Sequence, residues 1–151
     1  MKAKGVMVNW NVDKLTVKDI ENATEELIKK YGQAYNKIGE IKPEDVTFEN
    51  TIQAQMNLDR EFTIEESVIT FPQHVVTDKA LRDASVEADK KLSKFGVDLC
   101  MKKELFDNIC AFKERVGTDQ LSSEEKRWVE KEIIQGKRNG LDLRYLNYNI
   151  R

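Results

Sequence analysis

His74 is the only histidine in this chain, and that limits the metal chemistry the sequence can support. A zinc site of the His-Glu-x-x-His type needs two imidazoles one helical turn apart, and a di-iron bundle needs two Glu-x-x-His pairs. One ring builds neither. Cys100 and Cys110 are separated by nine residues and have no second pair to complete a tetrahedral thiolate site. No glycine-rich turn opens a helix in phosphate-cradling form, and no Gly-x-Ser-x-Gly elbow occurs. No serine or cysteine has a histidine close by in sequence to serve as its base.

Carboxylates are plentiful. Glu61 with Glu65, and Asp83 with Glu87, stand four positions apart, so each pair shares one helix face. Charged groups are rarely buried, so both pairs read as solvated surface. His74 follows Pro72 between two helices and reads as a turn residue with its ring bonded to backbone. Cys100 and Cys110 read as free thiols of a reducing compartment that pack as small apolar groups. Phe95, Phe112 and Trp128 fall on core stripes, and Lys137-Arg138 reads as a helix end. On this reading the chain contributes no catalytic, cofactor-binding or metal-binding residue.

The elements that position these groups are helices. Thr16 caps the first, with Asp19 as box partner, and Ile20, Ala23, Leu27, Tyr31, Ala34 and Ile38 recur at spacings of three and four until Gly39. Glu25 with Lys29 and Glu26 with Lys30 add i,i+4 pairs. A second helix of about 23 residues, on the order of 35 Å long, opens at Thr47. It carries a looser stripe of Phe48, Ile52, Met56, Leu58, Phe62 and Val68 and stops near Phe71, because Pro72 disfavours helical backbone before it. Thr77 caps a third, with Leu81, Ala84, Ala88, Leu92, Phe95 and Leu99 inward and Glu87 with Lys91 outward. Gly96 is expected to bend or end it. Leu105, Ile109, Phe112 and Val116 mark a fourth helix, closed by Gly117. Ser122 and Glu125 form a capping box for a fifth, with Trp128, Val129 and Ile133 inward, ending around Gly136 to Gly140. No segment alternates like a strand. The fold class is all-α, an array or bundle of about five amphipathic helices.

Composition agrees. The chain has 151 residues, enough for one core, with 34% charged residues and only two prolines. A net charge of −2 gives no strong attraction to nucleic acid or to an anionic membrane. No apolar run reaches the roughly 18 residues that suggest a membrane span. Met1 to Trp10 lacks the continuous apolar stretch of a secretory signal. Asn22-Ala23-Thr24 matches the glycosylation pattern but lies inside a helix. The expected location is cytoplasmic.

Longer stretches carry a more specific likeness. Phe71-Pro72-Gln73-His74-Val75, followed by the run from Asp83 to Phe95, resembles the N-terminal region of the thimet oligopeptidase and neurolysin family of zinc metallopeptidases. Asn9-Trp10, the stretch from Asp45 to Thr51, and the stretch from Gly136 to Leu141 are similar in order and spacing. The resemblance covers roughly Trp10 to Leu143. It implies a two-lobed, nearly all-helical cytosolic endopeptidase that cuts short peptides in a deep channel. Zinc would be held there by a His-Glu-x-x-His helix and a further glutamate, and no such ligand has a counterpart in this chain; His74 matches a family position that is not a zinc ligand.

On that resemblance residues 1–15 are an N-terminal extended segment, 16–143 a helical N-terminal lobe, and 144–151 a tail that departs from the family. The implied function is a channel-wall segment of a metallo-endopeptidase, inactive by itself. Its expected partners are the remaining catalytic lobe and, in the intact enzyme, short peptides; self-association through exposed apolar surface is also expected. The alternative is a stand-alone helical module that binds proteins or peptides.

Overall fold

A computed structural model describes residues 14–143. The expected tail at 144–151, the Asn9-Trp10 match and all but the last two residues of the 1–15 segment lie outside the described residues. Within them the chain is helical throughout, with no β-strand. The helices are α1 (Val17–Gly39), α2 (Ala54–Thr70), α3 (Pro72–Val75), α4 (Lys79–Cys100), α5 (Lys103–Arg115) and α6 (Ser123–Arg138). Short 3₁₀ (Pro43–Asp45) and π (Phe48–Gln53) turns lead into α2. Five of the six helices have thirteen or more residues, which is the expected all-α array.

Several ends form as the sequence reads. Thr16 and Asp19 bond reciprocally ahead of α1, and Ser122 and Glu125 do so ahead of α6. Past α6, Gly140 turns left-handed at φ 80°. Its N–H donates to the Lys137 carbonyl, and that of Leu141 to the Gly136 carbonyl, which makes a Schellman motif. Thr47 caps as expected, but its box partner is Asn50, and the turn that follows is π-helical. A π turn holds one residue more than an α turn.

Three expectations are corrected. Asp78, not Thr77, caps α4, because its carboxylate is placed to accept from the N–H groups of Ala80 and Leu81. Gly96 does not stop α4, which runs on to Cys100. Val116 is not core: it lies past the end of α5 and is 57% exposed.

The chain divides into two compact units, and the divide falls inside α1, α2 and α4. The first holds the residues up to Tyr31 with Arg60–Phe95. Ile20, Leu27, Tyr31, Ile69, Pro72, Ala88 and Leu92 are buried apolar residues among its described ones. Ser85, also buried, donates to the Ile69 carbonyl at 2.8 Å. Phe62 bridges Tyr31 and Phe95, at ring separations of 5.2 and 5.7 Å.

The second unit holds Gly32–Asp59 and the residues from Gly96 onward. Val46, Ile52, Ile109, Phe112, Val129 and Ile133 form one core cluster, flanked by Phe48, Met56 and Trp128. Buried Asn108 on α5 donates to the Ile38 carbonyl at 2.8 Å, tying α5 to the end of α1. α5 and α6 meet closely at Gly136, where an added Cβ would lie 2.2 Å from a Phe106 ring carbon.

Candidate functional site

Two polar networks stand out, one in each unit. In the first, Glu65 accepts the Tyr31 hydroxyl at 2.8 Å and the Lys30 ammonium at 2.6 Å. Burial alone would raise the Glu65 carboxyl, but the Lys30 and Tyr31 hydrogen bonds outweigh it and hold the carboxyl below its usual range. The Tyr31 phenol is pushed up, first by burial and then by Glu65, so it stays a hydrogen-bond donor. Glu65 is thus a half-buried partner of α1 and not the solvated carboxylate expected from its pairing with Glu61. Lys30 likewise reaches across to Glu65 and not along its own helix to Glu26.

In the second unit, Asp59 accepts from the Tyr35 hydroxyl and the Trp128 indole. Burial pushes its carboxyl up, against the pull of those two bonds and of Lys131. Glu132 is raised by burial and then by the Asp59 charge, and the Cys100 thiol is raised by desolvation and by both carboxylates. Cys110 is raised by burial and by Asp107 and Glu114. Neither thiol is activated as a nucleophile, since a reactive cysteine needs its thiolate favoured. Gln55 is buried, and its side-chain nitrogen has no hydrogen-bond partner.

The other sequence candidates are scattered. His74 is exposed in α3, and its main-chain N–H, not its ring, bonds to the backbone at Phe71. Asp83 pairs with Lys79, and Glu87 with Lys90 in place of Lys91, all on the outer face of α4. Phe112 is core and Phe95 half-buried, while Trp128 packs against the core and also bonds Asp59. Lys137 and Arg138 occupy the last turn of α6. Asp59 and Tyr35 were missed as candidates. The only sequence signal for them is a polar group on an apolar face, which becomes meaningful once α1, α2 and α6 are known to converge.

Each of these networks joins helices within its own unit. Comparison with known proteins is more decisive. No family model matches the chain. A thimet-like oligopeptidase of Dictyostelium discoideum is 32% identical over 131 residues, and saccharolysin of Saccharomyces cerevisiae is 28% identical over 137. These matches cover 85% and 89% of this chain. The chain is homologous to these oligopeptidases. It spans about a fifth of their length, 20% of the first and 18% of the second. The zinc that the family likeness implies finds no fitting set of donors among the described residues. The sequence holds one histidine, and among the described residues no three His, Cys, Asp or Glu side chains gather so as to hold a metal ion. No described helix is long and apolar enough to cross a membrane.

Proposed function

We propose that residues 16–143 are the helical N-terminal lobe segment that walls the substrate channel of a zinc-dependent metallo-endopeptidase acting on short peptides in the cytoplasm. The observation that carries this reading is the match of most of the chain to a fifth of two oligopeptidases. The donor inventory supports it, since a wall segment needs packed helices and no metal ligands. The role of this chain is then steric. Cores built on Tyr31, Phe112 and Val129, each fully buried, give rigid surfaces that admit extended peptides and turn away folded chains. Catalysis belongs to the remaining lobe, the expected partner.

The test is a peptidase assay on an internally quenched fluorescent peptide, with zinc added and metal content measured on the same sample. The chain alone is expected to cleave nothing and to hold no stoichiometric zinc. Grafted in place of the matching segment of the Dictyostelium oligopeptidase, it is expected to support cleavage. Cleavage by the isolated chain that a chelator abolishes overturns the reading.

A further inference from the structure

Asn139-Gly140 is the one place in the sequence where asparagine is followed by glycine. An asparagine amide is lost most easily in that pair. Glycine has no side chain to shield its nitrogen or to limit the backbone, so the nitrogen reaches the preceding Cγ with least hindrance. The fold acts on that reaction in three ways. Asn139 closes α6 in helical backbone, at φ −77° and ψ −3°. At that ψ the Gly140 nitrogen nearly eclipses the nitrogen of Asn139 itself, and so is turned away from Cβ and from the Cγ beyond it. The Gly140 N–H also donates to the Lys137 carbonyl at 3.0 Å, with Gly140 held left-handed at φ 80°. Finally, the Asn139 side chain is held at both ends. Its Nδ2 donates to the Cys100 carbonyl at 3.1 Å, and its Oδ1 accepts from Gln135 Nε2 at 3.1 Å. Asn139 thus ties the end of α4 to the end of α6 within the second unit.

We propose that Asn139 is a deamidation site held shut by the α6 cap, and that deamidation there is a one-way release of the tie between α4 and α6. The reaction runs from the opened cap. The Gly140 nitrogen gives its proton to hydroxide and forms a bond to Asn139 Cγ. The Cγ–Nδ2 bond breaks, and Nδ2 takes a proton from water and leaves as ammonia. Water then opens the succinimide at one carbonyl or the other, leaving aspartate or isoaspartate. Either product sets a carboxylate where the amide stood. It has no N–H for the Cys100 carbonyl, and it puts negative charge at the negative end of the α6 dipole. Lys137 and Arg138, in the same last turn, offset part of that charge. Isoaspartate also lengthens the main chain by one methylene, which shifts the Gly140 and Leu141 N–H groups out of register with the Lys137 and Gly136 carbonyls. The cap that shielded the site therefore does not re-form.

The test incubates the chain at mildly alkaline pH, folded and in guanidinium chloride, and follows residue 139 by peptide mass spectrometry, which separates asparagine from aspartate and isoaspartate. In denaturant, Asn139 is expected to convert ahead of Asn22, Asn36 and Asn108. In the folded chain it should convert at least about tenfold more slowly, the factor that an opening cost of about 1.4 kcal/mol sets. Gln135→Met frees one end of the amide at little change in helix propensity. It should raise the folded-state rate and leave the rate in denaturant as it was. Asn139→Asp, which sets a product in place directly, should lower the melting temperature by several degrees. Equal rates in the folded and denatured chain overturn the proposal, since the cap would then hold nothing. So does an Asn139 that outlasts the other three in denaturant, which would make it no site at all. A folded-state rate that Gln135→Met leaves untouched overturns the holding role of the cap. An Asn139→Asp chain that melts with its parent overturns the release.

Discussion

Gly136 leaves no space for a side chain. A Cβ there would fall 2.2 Å and 2.5 Å from two ring carbons of Phe106, itself buried. Neither α6 nor the Phe106 ring can yield without disturbing the α5 contact, so Gly136→Ala should destabilise by about 1–3 kcal/mol. Chemical denaturation measures this, and an unchanged midpoint would mean that the ring has somewhere to go. Asp59 makes a prediction about pH. Its carboxyl sits above the usual range because burial disfavours the anion. A carboxyl raised by folding contributes stability that is present below its unfolded pKa and lost as pH rises through its folded pKa. Asparagine keeps an acceptor for Tyr35 and Trp128 without the charge. Asp59→Asn should therefore gain on the native protein as pH is raised from about 4 to about 7. Melting curves across that range decide it, and a constant offset would show that the carboxyl is not desolvated.

Among the elements, the helices that were legible in sequence are those whose signals are local. The boxes at Thr16 and Ser122, the stripe of Ile20, Leu27, Tyr31 and Ile38, and Gly140 past α6 depend on residues within about one turn of each other, and all form. Ser122→Ala should cost about 1 kcal/mol through loss of the α6 cap, read as a lowered denaturation midpoint. The departures come from tertiary choices. Gly96 was expected to weaken α4, yet α4 continues through it, and a Cβ there meets nothing within 4 Å. Gly96→Ala should thus stabilise by about 0.5–1 kcal/mol. A loss of stability on that substitution would mean that the glycine is needed for a motion or contact outside the described residues. The polar networks at Glu65 and Asp59 were illegible for a similar reason. Each is a single carboxylate on its own helix, and only the approach of α1, and of α6 for Asp59, turns it into a half-buried acceptor.

At the scale of the whole molecule, the likeness to oligopeptidases covers most of this chain but only about a fifth of each relative. A homologous segment that spans a fifth of its relatives need not carry every part of their chemistry. The sequence holds one histidine, and among the described residues no three His, Cys, Asp or Glu side chains gather so as to hold a metal ion. The consequence is measurable in stability. A metal that binds the folded state at a concentration 100 times its dissociation constant adds about 2.7 kcal/mol, which a chelator removes. For a chain of this size that would shift the melting temperature by several degrees. The expected outcome is a melting temperature within about 1 °C with and without EDTA, and the same with equimolar zinc. A chelator-sensitive transition in the isolated chain would instead place a metal site among residues whose spacing in sequence gives no sign of one, and the channel-wall reading would give way to a metal-dependent one.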